Sequence, residues 1–364
     1  MASVIDLLTG LPLDYEVLSN FCFKCKAVEG KDANEEWMAK HKENCPKNFD
    51  GSAGAMEVEC AKILWSRSVE KCKLRYTTIL CDGDSKAFDA ETDLNVYGPG
   101  NLIQKEDCIN HVSKRMGTAL RNLVASSKAQ KDSISGKGKG KLTLQKVTKI
   151  QNYYGRAIKD HASDIPLLKK RIMAILLHLS STDKLPKHNQ CPPGKTSWCF
   201  WHRAVANSAV PGPHKDHETL SPDIGKKLVP IFLCLSDEAL LKRCSRTKTQ
   251  NANECVHNII WKLCPKSTFV GRRTLKAAVS LAMCQFAMGA TFRVVLLRAL
   301  NLVAGDILVN SSLEKSLVRI KKAEEANSSQ AKSKRRQLKY KKQTKELQKK
   351  TKEGESYAAG GFDC

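Results

Sequence analysis

Cys22-x2-Cys25 followed by His41-x3-Cys45 sets the tightest limit on how the first part of this chain can fold. Two short pairs of soft donors, fifteen residues apart, are what a tetrahedral ion such as Zn(II) takes as three thiolates and one imidazole. Such a site is closed and structural, so it predicts binding and not catalysis. The rival reading is scattered cysteines in a chain that holds 15 of them. A disulfide framework does not fit a reducing compartment, and Met1 to Leu11 lacks the pattern of a signal peptide. A second set, His178, His188-x2-Cys191 and Cys199, falls in a Pro/Gly-rich segment and is less regular in spacing. His178 reads equally as a core histidine on an apolar helix face, and His202 is a spare candidate ligand.

Around these sets the pattern predicts strands alternating with helices. A hairpin opens the chain, with strands over 4–8 and 13–18 joined through Gly10 and Pro12. A polar Cys-rich segment follows, then a helix over 56–73 and a strand over 76–81. Leu102-Ile103 reads as a further short strand, and 107–124 as a helix with Ile109, Val112, Met116, Leu120 and Leu123 on one stripe. The Gly/Lys-rich stretch 126–141 is expected to be a flexible basic loop outside any core. Helices are then expected from Thr143 to about His161, over 164–179, 198–207, 223–235, 237–243, 253–264 and 273–302. Residues 313–352 read as a charged helix or a disordered tail.

The formal charge of +24 makes a polyanion, and first of all nucleic acid, the expected partner. Part of the excess is a tail: residues 332–352 hold eleven Lys or Arg against Glu346, which leaves +14 for the rest. No stretch approaches eighteen uninterrupted apolar residues, so no membrane span is expected and the chain is placed in the cytosol or nucleus. The cluster Lys334-Arg335-Arg336 serves as a nuclear address or as a solvated face.

Asp82 leaves the strand over 76–81, with Asp84 two residues on. Carboxylates at a strand exit hold Mg(II) for phosphoryl transfer, and Asp-Gly-Asp in that place is also an ordinary turn. Glu254 lies in the first turn of the late helix over 253–264, where a dipole-favoured cap residue is the plainer reading. A further reading joins Asp82 and Glu254 in one metal-binding carboxylate set.

Several motifs then resemble one family in order and spacing. They are Gly54-Ala55-Met56-Glu57-Val58-Glu59, Asp82-Gly83-Asp84-Ser85-Lys86, Cys108 to Gly117, Gln151-Asn152-Tyr153-Tyr154-Gly155, the Ser197-Trp198-Cys199 step and Thr249 to Trp261. Together they resemble the Mutator-like transposase domain of animal transposon-derived proteins, from the first residues to about Leu302. The resemblance implies an α/β (α+β) fold, a ribonuclease H-like mixed sheet interrupted by a helical, zinc-containing insertion, with a basic C-terminal helix or tail. On that pattern residues 1–125 are the N-terminal part of the core, 126–245 the basic linker and insertion, 246–305 the C-terminal core helices and 306–364 the tail. Asp82 resembles the second of three acids and Glu254 the third, and Cys108 with His111 matches the family's Cys-x2-His metal motif. Lys86, Lys114, Arg115, Lys137, Lys139, Arg335 and Arg336 are the candidate phosphate contacts.

The expected cofactors are structural Zn(II) and, for catalysis, Mg(II) or Mn(II). The expected partners are DNA and a second copy of the chain. In the family the first acid precedes the opening hairpin, so the chain as written is expected to lack it, as a truncated product or a non-cutting descendant. Two functions stay open: a metal-dependent transposase that nicks and joins DNA, and a zinc protein that binds DNA without cutting it. RNA binding through the tail is a third class, and it explains neither metal set.

Overall fold

A computed structural model describes residues 1–29, 35–81, 86–130, 132, 134–136, 138–335, 337, 338 and 342. Strands β1 (Ala2–Ile5) and β2 (Pro12–Glu16) pair antiparallel, Ala2 opposite Glu16 and Val4 opposite Asp14. The first strand, expected to reach residue 8, stops at Ile5 because the next side chain turns the backbone. The Asp6 carboxylate accepts from Thr9 N at 2.8 Å, Thr9 Oγ1 at 2.6 Å and Leu8 N at 3.2 Å. The Cys-rich segment expected to be merely polar carries two helices, α1 (Phe23–Val28) and α2 (Glu35–Asn44).

The helix expected over 56–73 is two helices, α3 (Ala53–Ser66) and α4 (Ser68–Cys72), broken at Arg67. That guanidinium is drawn onto β2, with Nε 2.7 Å from Asp14 Oδ2, one amino group 2.6 Å from Glu16 Oε2 and the other donating to the Tyr15 carbonyl at 2.8 Å. Burial alone would raise the Asp14 pKa, and the hydrogen bonds from Arg67 and Lys71 instead hold it below its ordinary value. Next come β3 (Thr78–Cys81), α5 (Lys86–Leu94) and β4 (Gln104–Asp107), with β4 paired to β3. The short strand expected at Leu102-Ile103 begins two residues later, after a turn closed by Asn101 N on the Gly98 carbonyl at 3.1 Å.

Six helices follow: α6 (Ile109–Ala129), α7 (Leu144–His161), α8 (Ile165–Leu179), α9 (Phe200–Ala206), α10 (Pro222–Cys234) and α11 (Glu238–Arg243). The chain closes with α12 (Asn251–Leu263), α13 (Arg272–Met288), α14 (Phe292–Ala299) and α15 (Asp306–Asn327). The helix expected over 273–302 is interrupted at Gly289, whose φ of +64° suits glycine and where a Cβ would lie 2.9 Å from Arg319 Cζ. By length and composition 272–299 is apolar enough to cross a bilayer, contrary to the expectation that no stretch is; 28% of its apolar window is buried, with Val279, Ala282 and Met283 packed in a core. Among the described residues the strands form two two-stranded sheets, so the chain is helix-rich α+β.

The chain divides into two compact units, one of residues 1–106 with 249–325 and the other of 107–248 with 326–364. In the first, Val17, Val256, Ile260, Val279 and Ala282 make one core cluster, and Leu64, Trp65, Tyr76 and Ile103 another. In the second, the stripe of Ile109, Val112, Met116 and Leu120 on α6 packs with Ile150, Tyr154 and Ile158 of α7, Ile172 and Ile175 of α8 and Phe232 of α10. Caps set the frame: Thr143 Oγ1 accepts from Lys146 N at 3.2 Å, and Asp164 Oδ1 from Leu167 N at 2.9 Å. The stretch 126–141, expected to be a core-free loop, begins inside α6, and its Ile134 is 1% exposed in this core. An apolar residue in a Gly/Lys-rich run anchors it, with Leu142 N donating to the Ile134 carbonyl at 2.8 Å.

Helices α6 and α7 approach closely at Gly155, where a Cβ would stand 2.4 Å from Ser113 Oγ. Gly155→Val is expected to destabilise the chain by about 1–3 kcal/mol, whereas Gly225→Ala, with open space at its Cβ, is expected to add roughly 0.5 kcal/mol, both by denaturant unfolding. Glu91 on α5 is fully buried with neither carboxylate oxygen hydrogen-bonded, and burial pushes its pKa from 4.5 up to about 7. Between those values the folded chain holds a proton that the unfolded chain releases, so stability falls as pH climbs from 4.5 towards 7. Glu91→Gln is expected to remove that slope, gaining on the order of 2–3 kcal/mol at pH 8 and nothing at pH 4.

Candidate metal centres

The first donor set is assembled by α1 and α2. Cys22 caps α1, Cys25 lies in its first turn, His41 lies in the last turn of α2, and Cys45 follows it. His41 Nε2 is 3.3 Å from Cys22 Sγ and 3.2 Å from Cys25 Sγ, and Cys25 Sγ is 3.5 Å from Cys45 Sγ. The four donor atoms lie within 4.8 Å of one another. An ion with metal–sulfur bonds of about 2.3 Å spans tetrahedron edges of about 3.8 Å, so the set has the right size for one ion. Trp37 stacks on the His41 ring at 4.7 Å, and Phe21, Phe23 and Phe269 meet edge to face at 4.7–5.3 Å beside the set. Burial raises both thiols; hydrogen bonds from Cys25 and Cys45 bring Cys22 down towards thiolate, while Cys25 is left high, at about 12.

The second set is fully buried and belongs to the end of α8 and the loop that follows. His178 Nδ1 and His188 Nδ1 face each other at 3.1 Å, Cys191 Sγ is 3.7 Å from the former and Cys199 Sγ 3.5 Å from the latter. A hydrogen bond from the Cys191 thiol pulls Cys199 strongly towards thiolate and leaves Cys191 the protonated partner. The loop is held by Arg171, whose guanidinium donates to the carbonyls of Gln190 and Cys191, each at 2.7 Å. Sequence spacing made His178 ambiguous with a core histidine; its ring nitrogen is one of the four converging donors. His202, the spare, points elsewhere, and its Nε2 meets the His188 carbonyl at 2.8 Å.

Three residues that spacing did not single out complete this centre. Asp183 accepts from His214 N at 2.8 Å and from His214 Nδ1 at 2.6 Å, so His214 Nε2 is left as an acceptor. His188 Nε2 lies 2.9 Å from it, with Ser181 Oγ 3.2 Å from His188 Nε2 and 2.9 Å from His214 Nε2. With His214 neutral, this chain of contacts places the His188 proton on Nε2 and leaves its Nδ1 lone pair for the thiols, the tautomer that a metal ligand needs.

The family profile described as Mutator-like transposase matches residues 1–199. The chain belongs to the Mutator-like transposase family. No curated protein and no solved structure matched it. All eight donors of this Mutator-like chain's two sets lie inside the matched region, whereas Glu254 and His214 lie beyond it.

Glu254 is exposed in the first turn of α12, and its N–H donates to the Gln250 carbonyl at 3.1 Å. The Gln250 amide donates to the Leu80 carbonyl of β3 at 2.9 Å, and Ser3 Oγ to Asn253 Oδ1 at 3.4 Å. Asp82 and Asp84 lie outside the described residues, as do Lys137 and Arg336. Cys108 caps α6, with His111 N donating to its carbonyl at 3.0 Å; neither belongs to a group of three or more donors among the described residues. Of the basic candidates, Lys86, Lys114, Lys139 and Arg335 are exposed. Arg115 stands 3.6 Å from the buried Asp107, which also accepts from Arg243 Nε at 2.7 Å.

His214→Ala is expected to weaken Co(II) binding at the second set about 10- to 100-fold and to leave the first set unchanged. Thiolate-to-cobalt absorption during chelator competition reads the two sets as separate steps, and equal affinities for variant and wild type would remove His214 from the centre.

Proposed function

We propose that this chain is a transposase-derived, DNA-binding protein whose two Cys/His sets hold structural Zn(II). The observation that carries the reading is the family match over residues 1–199, in a chain of net charge +24 whose basic excess is not confined to its tail. Zinc is favoured over other ions because both sets gather sulfur and imidazole donors, four in each, within 4.8 Å of one another. A ribonuclease H-like core, with the second set inside the helical insertion, and a nuclear address at Lys334-Arg335-Arg336 belong to the same reading.

Cleavage is the second reading, and one contact favours it. The bond from Gln250 to Leu80 ties the start of the Glu254 helix to the strand that leads, two residues on, to Asp82. Two-metal strand transfer needs carboxylates grouped around ions about 3.5–4 Å apart, and on this reading Asp82 and Glu254 would belong to that group. Mg(II)- or Mn(II)-dependent nicking of supercoiled DNA, lost in both Asp82→Ala and Glu254→Ala, would establish cleavage.

For DNA binding, the full chain is expected to hold a labelled duplex with an affinity that falls at least about tenfold between 50 and 200 mM salt. Removing residues 331–364 is expected to weaken this binding and to leave a salt-dependent remainder. Complete loss would instead assign nucleic-acid binding to the tail and sink the reading of a DNA-binding folded part.

A further inference from the structure

Residues 255–305 hold seven Lys or Arg and not one Asp or Glu, so all 37 acids of the chain lie elsewhere. The loop between α12 and α13 belongs to this stretch and is pinned to the first metal set. Its Phe269 meets Phe21 at 5.3 Å and Phe23 at 4.7 Å, edge to face. Arg273, in the first turn of α13, donates to Asn44 Oδ1 at the end of α2 at 2.9 Å. These contacts, all within the first compact unit, bring α1, the end of α2, the loop and the start of α13 together.

What they leave in water is apolar and basic. Phe23 is 62% exposed and Phe269 54%, although each touches the other. Lys24, Lys26 and Lys266 are exposed, and none of the three makes an ion pair among the described residues. Instead the Lys26 ammonium lies 5.8 Å from the Phe21 ring centre and that of Lys266 4.9 Å from Trp261. The nearest acids in sequence are Glu29, one residue past α1, and Glu43, in the last turn of α2. None of these cations is among those that the motifs singled out.

Unpaired cations around two half-exposed rings call for a partner that offers anions and apolar edges side by side. A DNA duplex does, with phosphates along grooves that are lined by sugar carbons and thymine methyls. A bilayer surface fits less well, because it takes a helix with a long apolar face. Here α1 has six residues, and on α13 Val279 and Ala282 are turned into the core.

We propose that this surface docks on duplex DNA, with Lys24, Lys26 and Lys266 on phosphates and Phe23 and Phe269 against the apolar edges of sugars and bases. It rests on the DNA-binding reading above and assigns that binding to one surface of the first unit.

The test titrates the full chain against a labelled duplex at several salt concentrations, with each variant checked by circular dichroism and metal content. Lys24→Ala/Lys26→Ala/Lys266→Ala is expected to weaken binding at low salt at least about tenfold and to flatten the slope of log affinity against log salt by about 2–3. Phe23→Ala/Phe269→Ala is expected to weaken binding at least about threefold with the slope unchanged, because apolar contacts release no counterions. The lysine variant, altered only at exposed side chains, decides the surface even where the phenylalanine variant fails to keep its metal. An unchanged affinity and slope in the lysine variant overturns the surface and leaves DNA binding standing. A folded phenylalanine variant that binds like the unaltered chain overturns the apolar contact. Binding to phosphatidylserine vesicles that the lysine variant loses while it keeps its duplex affinity overturns the proposal in favour of a membrane. Failure of the unaltered chain to bind the duplex overturns the DNA-binding reading itself.

Discussion

Two imidazole nitrogens 3.1 Å apart in a buried pocket, with two sulfur atoms beside them, draw the end of α8 and the loop after it to one point. Residues 180–199 contain no helix or strand, and the loop is tied to α8 by this convergence, by the two Arg171 hydrogen bonds and by Cys191 and Cys199 packing on Ala174. Cys199 is the residue before α9, so the convergence of the four donors also sets the start of that helix and the positions of Trp198 and Phe200. The relay from Asp183 through His214 to His188 belongs to the same constraint, because it selects which imidazole nitrogen faces inward.

The first unit solves a similar problem by other means. Its charged contact, Arg67 on Asp14 and Glu16, is satisfied on several sides and includes a backbone carbonyl, which lets a fully buried carboxylate stay ionised. Glu91 is the counterexample in the same unit, buried without a hydrogen bond and therefore driven towards its neutral form. The knuckle of Cys22 to Cys45 is secured from outside by the phenylalanine trio and by Arg273 donating to Asn44 Oδ1 at 2.9 Å. Gln250 and Leu80, 170 residues apart, meet in that unit as well, which is the long-range closure that a discontinuous fold requires.

Local chemistry made much of this legible beforehand. The Cys-x2-Cys and His-x3-Cys pairs stated a four-donor set, since both spacings are set by one turn of chain, and the stripe on α6 stated its buried face by period alone. Caps marked α7 and α8 because Thr143 and Asp164 each accept from the backbone N–H three residues on. Breaks were less visible: the helix expected over 56–73 gives no local sign at Arg67, because what bends it lies on β2.

The sequence by itself determined the ligand types, the helical periods and the charge, all of which depend on neighbours within a turn or two. Only the tertiary structure decided that His214 orients His188, that Ile134 anchors a Gly/Lys-rich run, and that α6 joins the unit of α7 and α8. Those outcomes depend on which distant groups share a buried volume, and the free-energy cost of leaving a polar atom or an apolar side chain unmatched there is not written in any single segment.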